Sequence, residues 1–288
     1  MAQFPISRRK FLRLTAATAV AAVGVDSTLV EPNRPRVVRK DLSLQRWPAR
    51  LDGFTIVVLS DFHYDPHFSI HPLHASIGMV NDLRPDLVVL TGDFVTSPTI
   101  GGDPEKAASA AEPCARLLRQ LYSRHGLWAV MGNHDYHTDP ERVTDALQAE
   151  GIRCLVNQSV AIERDGARFW LAGVNDVLHQ AADLPETLSH VPSDEPTVLL
   201  AHEPDYADVV ARHPVDLQLS GHSHGGQVRL PWLGPLYLPD LARKYVWGLY
   251  RVGNLTLYTN PGLGTIMLPV RWNCPPEITL LTLRRSST

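Results

Sequence analysis

Five short stretches of the chain place a carboxylate, an amide or an imidazole directly after an apolar run. They are Asp61 and His63, Gly92-Asp93, Gly132-Asn133-His134-Asp135, His202, and Gly221-His222-Ser223-His224. Carboxylate oxygens and imidazole nitrogens are ligands for divalent first-row metals, and a set without thiolate points to Mn, Fe or Zn rather than copper. Asp61 and His63, two apart, would share one face of a continuing strand, and His222 and His224 one side of an extended segment. Singly these are weak signals: Gly-Asp is ordinary turn chemistry, and a lone His or Asp beside Gly is more often a turn residue or a cap than a ligand. His202 gains its weight only from the other four blocks. His67, His71, His74, His125, His137, His179, His190 and His213 match no block and read as solvated or locally bonded, with His67 set apart because it lies on the loop after the first block.

The residues before each block say what must position it. Stretches 54–59, 87–90, 127–131, 198–200 and 215–219 are short, continuous and apolar, the pattern of strands buried on both faces. Helix-like stretches near 71–83 and 105–123 separate the first three, and another at about 140–150 follows them. Such alternation predicts an α/β core of parallel strands with right-handed crossovers. Ligands in such sheets gather beyond the carboxyl ends of the strands, so five strand ends point at one place. Stretches 160–162, 168–172, 227–230, 255–259 and 278–283 read as a second sheet packed on the first.

With 288 residues, 44% of them hydrophobic, the chain can bury one sizeable core. Charged residues make up 20% and the formal net charge is -3, which gives no polybasic surface; no nucleic-acid partner is expected, and a nuclease would prefer a basic groove. Cys114, Cys154 and Cys274 form no CxxC pair and read as buried, inert thiols.

At the N-terminus, Ser7-Arg8-Arg9-Lys10-Phe11-Leu12 is followed by an alanine-rich apolar stretch, 14–25. Residues 1–30 thus resemble a twin-arginine export signal. That implies the twin-arginine translocation machinery as a partner, and a location in the periplasm or on the outer face of the cytoplasmic membrane. The stretch is short for a bilayer span, which needs about 20 apolar residues. Cleavage and retention as a tether both stay open. Residues 31–49, rich in proline and arginine at their start, read as an extended linker leading into the first strand, and 50–285 as the folded domain.

In their order and spacing the five blocks resemble the calcineurin-like metallophosphoesterase superfamily, whose pattern runs DxH, GD, GNH[DE], a lone His, then GHxH. Stretches 224–231, 260–264 and 275–278 are similar to the exported bacterial phosphodiesterase-like branch, which includes proteins related to UDP-2,3-diacylglucosamine pyrophosphatases. The likeness covers residues 50–285. It implies a four-layer αββα sandwich: two mixed sheets flanked by helices. It implies two divalent metal ions, one held by Asp61, His63, Asp93 and His224 and the other by Asp93, Asn133, His202 and His222, with Asp93 bridging. A hydroxide between them would attack phosphorus in line. His134 would stay uncoordinated and stabilise the transition state or protonate the leaving group, oriented by Asp135. The substrate class is a phosphodiester or pyrophosphate, lipid-linked and nucleotide-sugar compounds included. Monoester hydrolysis is the enzymatic alternative, and a metal-binding scaffold without catalysis the non-enzymatic one.

Two features lie outside this pattern. Asp65 stands where many relatives carry glycine, and is expected to cap the helix that follows. The loop 231–250 is rich in aromatics and proline and contains Arg243 and Lys244. Packing of its aromatics into the second sheet is the first expectation; the other is a surface for an acyl chain or a membrane interface, with the cations meeting phosphate.

Overall fold

The computed structural model describes residues 7–98 and 103–286; the first six residues of the export-signal reading lie outside them. The first sheet has the order β1 (Arg36–Leu44), β14 (Glu277–Arg285), β2 (Phe54–Leu59), β3 (Leu87–Leu90), β4 (Leu127–Ala129) and β5 (Arg153–Cys154). From β2 to β5 the strands run parallel, and β14 lies antiparallel to β2. The second sheet has the order β12 (Gly248–Val252), β13 (Leu255–Thr259), β9 (Leu217–Ser220), β8 (Thr197–Leu200), β7 (Ala167–Gly173) and β6 (Gln158–Arg164). A separate hairpin joins β10 (Arg229–Leu230) to β11 (Gly234–Pro235).

Pleating explains why β2 and β3 read as unbroken apolar runs. Val57, Leu59, Val88 and Leu90 face outward onto α2 (Ile70–Leu83), α4 (Ala111–Leu118) and α6 (Pro140–Ala149), against Leu73, Val80, Leu118 and Val143. Ile56, Val58, Leu87 and Val89 face inward and meet Phe169, Leu171, Val198 and Leu217 of the second sheet. The outer face of the second sheet is covered by α7 (Leu184–Leu188) and α8 (Ala207–Val210) through Leu184, Ala207 and Val210. The result is the four-layer αββα sandwich the resemblance implies.

Several local expectations change. Stretch 278–283 belongs to the first sheet, inserted as β14 between β1 and β2, because its inward side chains Leu281 and Leu283 complete the layer between the sheets. Stretch 227–230 joins neither sheet: only Arg229 and Leu230 are extended, in the two-stranded hairpin. Strands β8 and β9 lie in the second sheet, so the five strand ends come from both sheets. The helix expected over 105–123 is two pieces, α3 (Pro104–Ala108) and α4. Pro113 has no N–H for an interior helical bond, and its ring would meet the carbonyl four residues back, so a new helix starts at Ala111, with Pro113 in its first turn. Asp103 and Asp139 cap α3 and α6, each just before a proline.

The N-terminal segment is held by the domain. Helix α1 (Arg8–Val25) has no buried residue, but the turns after it are bonded in place. Ser27 O accepts from Arg271 N at 2.9 Å, and the Glu31 carboxylate accepts from the backbone N–H groups of Asn273 (3.0 Å) and Cys274 (2.5 Å). Residues 36–44 then pair along the whole of β14. The stretch 31–39 is therefore a docked turn and the start of an edge strand, not a free linker.

Candidate metal centre

The polar blocks follow β2, β3, β4, β8 and β9, and their side chains converge where the two sheets meet. Strand β2 ends at Leu59, so Asp61 and His63 are not brought together by the pleat of a strand. Both lie in irregular backbone with φ of 52° and 41°, as do Asp93 (59°), His222 (66°) and His224 (49°). Left-handed φ at non-glycine residues is uncommon, and it persists where surrounding structure over-determines it, as at functional sites. His222 and His224 likewise sit in a tight turn rather than on an extended segment, and they join different clusters.

Those clusters are Asp61, His63, Asp93 and His224 on one side, and Asp93, His202 and His222 on the other; within each, the ligand-type atoms lie within 4.8 Å of one another. Asp93 belongs to both. Its Oδ2 is 3.4 Å from His63 Nε2 and 3.2 Å from His202 Nε2, while its Oδ1 accepts from the His134 N–H at 2.9 Å. On the first side His63 Nε2 and His224 Nε2 approach to 3.1 Å, and His224 Nε2 lies 3.3 Å from Asp61 Oδ1.

The ring nitrogens facing away are engaged by the chain. His63 Nδ1 meets Thr96 Oγ1 at 3.2 Å, His202 Nδ1 meets Thr91 O at 2.6 Å, and His222 Nε2 meets Asp240 O at 2.8 Å. A backbone carbonyl at one nitrogen fixes the hydrogen there and leaves the other lone pair for a cation. The side-chain oxygen of Asn133 is buried with no hydrogen-bond partner among the described residues, and His202 Nε2, also buried, faces Asp93 Oδ2 without a hydrogen bond. Orphaned acceptors beside a shared carboxylate are what two cations would satisfy, so the donor set fits a pair of divalent ions.

For three of the four rings the electrostatics agree. Burial pushes His63 down to about 3 and His222 down to about 4, and burial with His63 alongside holds His224 well below the usual histidine range. These rings are neutral and free to donate a lone pair. Burial alone would raise Asp93 and lower His202, but their mutual attraction outweighs it and holds Asp93 low and His202 high. Burial raises Asp61 to about 7, with the Asp93 charge adding to the effect.

His134 lies edge-on to His63, with ring centroids 4.8 Å apart. Asp135, expected to orient it, does something else. Its Oδ2 accepts from the N–H groups of Asp93 (2.8 Å) and Gly132 (3.0 Å), and its Oδ1 from those of Phe94 (2.8 Å) and Val95 (3.1 Å). It therefore sets the backbone that presents Asp93. The orienting group for His134 is Ser97, whose backbone N–H donates to Nδ1 at 2.9 Å. Nothing in the sequence pattern marked Ser97.

Two buried acids behind the site were also missed. Glu203, next to His202, is pushed well above the carboxylate range by burial and then by Asp176. Asp176 in turn accepts from His179 N and contacts its Nδ1, both at 2.6 Å. Glycines let the blocks approach. Gly92 has φ +98°, and a Cβ there would lie 2.8 Å from His202 Nδ1; at Gly221 a Cβ would lie 2.5 Å from Asp61 Oδ2.

Asp65 Oδ1 accepts from His67 N (2.7 Å) and Phe68 N (3.0 Å), closing the turn before α2 rather than capping α2 itself. The 231–250 loop divides. Tyr245 and Trp247 pack and bond inward, to Asp208 and Glu277 respectively, whereas Trp232, Leu233, Leu236 and Tyr237 are exposed. Arg243 pairs with Asp240 and Lys244 with Asp208, each at 2.7 Å, so both cations are engaged by neighbouring acids.

A calcineurin-like phosphoesterase profile matches residues 54–226. The chain is 34% identical to the uncharacterized metallophosphoesterase YkuE of Bacillus subtilis, over 98% of this chain and 99% of that one. It is 33% identical to the phosphodiesterase YaeI of Escherichia coli, over 96% and 99%. It is 26% identical to the UDP-2,3-diacylglucosamine pyrophosphatase LpxG of Chlamydia trachomatis, over 88% and 90%. Among solved structures, the NAD nucleotidase NadN of Haemophilus influenzae shares the fold with a TM-score of 0.50 and 14% identity, over 73% of this chain and 45% of that one. The chain belongs to the calcineurin-like phosphoesterase family.

Proposed function

We propose that this calcineurin-like phosphoesterase hydrolyses a phosphodiester or pyrophosphate bond outside the cytoplasm, with Asp93 as the carboxylate shared by two metal ions. The observation that carries this reading is the position of Asp93 Oδ2 between His63 Nε2 and His202 Nε2, one oxygen serving two clusters. Asp61, His63 and His224 complete the first cluster and His202 and His222 the second, to which the unpartnered side-chain oxygen of Asn133 would add a further donor. Two divalent cations there, when bound, supply charge against the phosphoryl oxygens and acidify water. The chain itself does the rest. Asp135 locks the backbone of residues 93–95, so the shared carboxylate is presented in one geometry. His134 accepts on Nδ1 and so holds its proton on Nε2, free to stabilise charge on the phosphoryl group or to be given to the leaving oxygen. The oxygen-and-nitrogen donor set suits Mn, Fe or Zn.

Diester or pyrophosphate cleavage is favoured over monoester cleavage by the names of two relatives, a phosphodiesterase and a pyrophosphatase acting on a diacylated sugar nucleotide. The name of the second supports a substrate that carries acyl chains. Export by the twin-arginine route rests on Arg8, Arg9, Phe11 and Leu12 in the first turns of α1. The test is hydrolysis of bis(p-nitrophenyl) phosphate beside p-nitrophenyl phosphate by the metal-stripped chain, resupplied with Mn, Fe, Zn or Mg. Faster diester cleavage, restored by added metal, is the expected result. Faster monoester cleavage would replace this reading with a phosphomonoesterase, and no cleavage of any phosphoester or pyrophosphate would favour a scaffold. For export, Arg8→Lys with Arg9→Lys is expected to keep the chain in the cytoplasm; normal export of that variant would overturn the route.

A further inference from the structure

Apart from Tyr122, Leu178, Val209 and Leu249, the large hydrophobic side chains exposed among the described residues fall on α1, on the turn after it, or on three neighbouring segments of the domain. Those segments expose Phe68; Trp232, Leu233, Leu236 and Tyr237; and Met267 and Leu268. Trp232 is 102% exposed, Met267 86% and Leu233 79%, so they contribute nothing to the core. Scattered apolar residues are normal on a soluble surface, but a contiguous set of this kind marks an interaction face.

The set is contiguous because the segments are tied together. Gln227 Nε2 donates to Ile266 O and Leu268 O, both at 3.1 Å, and Ile266 N returns a bond to Gln227 Oε1 at 2.8 Å. Arg229 N donates to Trp272 O at 2.9 Å, and Asn273 Nδ2 to Arg229 O at 3.0 Å, which joins the hairpin to the 264–273 loop. The same loop grips the base of α1 through Ser27 and Glu31. Arg271, fully buried, braces it by donating to the carbonyls of Pro261, Gly264 and Cys274. An apolar cavity of about 220 Å³ lies beneath, lined by Leu29 and Pro32 with Phe68, Leu263 and Pro269.

Helix α1 says what covers this face. Its 18 residues are solvent-exposed and contain no acidic side chain. The helical run 8–33 is long and apolar enough to cross a membrane and is almost wholly exposed. At about 1.5 Å per residue the uncharged stretch 14–25 is about 18 Å long and α1 as a whole about 27 Å, so crossing the ~30 Å of a bilayer's hydrocarbon core draws on the long basic side chains of its first turns reaching out to the headgroups. Its four basic residues, Arg8, Arg9, Lys10 and Arg13, all lie at the end away from the domain, where the far headgroup layer would meet them. At the near end stand Trp232 and Tyr237, side chains that favour the membrane interface.

We propose that α1 spans a lipid bilayer and that the 229–237 hairpin and the 264–273 loop rest on that bilayer's surface. The contact does not depend on the reaction assigned above, but it deepens that reading. His224 leads directly into this hairpin, and Arg229 donates to Gly225 O at 2.6 Å. A metal centre beside a membrane-resting face would receive a phosphoester carried on an acyl-chain lipid.

The test uses the full chain in phospholipid vesicles, with single cysteines labelled by the fluorophore NBD. Met267→Cys and Leu233→Cys probe the face, Val20→Cys probes α1, and Tyr122→Cys, just ahead of β4 at the end of the sheet away from the site, is the control. Labels at 267, 233 and 20 are expected to be blue-shifted and quenched by nitroxide lipids, while the label at 122 is quenched only by aqueous iodide. Equal iodide quenching at 267, 233 and 122 would leave the domain standing off the membrane and overturn the proposal. Shielding of 267 and 233 without quenching by lipid nitroxides, together with a concentration-dependent rise in mass, would assign the face to a second copy of the chain and overturn it equally.

Discussion

The backbone N–H of Ser97 donates to Nδ1 of His134 at 2.9 Å, with the Ser97 hydroxyl 2.6 Å from the same nitrogen. A ring nitrogen that accepts carries no proton in the neutral imidazole, so His134 keeps its hydrogen on Nε2. His134→Ala is therefore expected to lower kcat on a diester by about 10²- to 10⁴-fold with KM little changed. Ser97→Ala keeps the backbone donor and loses only the hydroxyl, so its cost is expected to stay under about tenfold. Steady-state kinetics of the two variants check this. Full activity in His134→Ala would remove the residue from the chemistry.

Asp135 carries a structural consequence. All four of its contacts are backbone N–H donors, and a protonated carboxyl would turn its own hydrogen onto one of them, so this geometry fits the ionised form even though burial and the Asp93 charge push the group up to about 7. Asp135→Ala leaves those donors unpaired in a dry site and is expected to cost about 2–4 kcal/mol of stability. Urea unfolding of the metal-free protein measures it without interference from ion binding. A midpoint equal to that of the unsubstituted chain would show the four bonds to be dispensable.

Metal removal should be visible as lost stability. The centre buries Asp61, His63, Asp93, His202, His222 and His224 together, and each ion present at about 100 times its Kd adds about 2.7 kcal/mol. With two ions, and about 2–4 °C per kcal/mol for a domain of this size, chelation is expected to lower Tm by ~10–20 °C. Thermal unfolding with and without a strong chelator, then with metal restored, checks it. An unchanged Tm would mean that the folded protein binds no ion preferentially.

The legible parts of this molecule are those whose cause is local. Strands β2, β3, β4, β8 and β9 announced themselves as apolar runs because both faces of each are covered, and the ligand-type residues follow those runs directly. Less legible were features set by distant backbone. Ser97 acts through its N–H, which every residue but proline possesses, and so leaves no trace in residue type. Asp135 was read as a partner of its neighbour His134, but its oxygens reach backbone about forty residues earlier. The pleat argument for Asp61 and His63 failed because the strand stops first, and left-handed φ values bring the two side chains round instead. Strand β14 carries an ordinary apolar pattern that fits either sheet; only the space between β1 and β2 decides.

The three cysteines make a separate expectation. All are free. Burial raises Cys154 to about 12 and holds Cys114 and Cys274 above the usual thiol range. Only the thiolate reacts quickly, so at pH 8 the folded chain should show almost no reaction with a disulfide reagent, and all three thiols should react after denaturation. Rapid labelling of a native thiol would show that one of these sites opens readily.

The most direct test is the metal content and diester turnover of Asp93→Asn beside the unsubstituted chain, both purified from medium containing Mn and Zn. If one oxygen of Asp93 serves both clusters, the unsubstituted chain binds two ions, while the variant retains one or none and loses turnover by at least about 10³-fold, the scale of a lost transition-state electrostatic contact. Two ions retained and undiminished turnover in Asp93→Asn would contradict the shared-carboxylate centre outright.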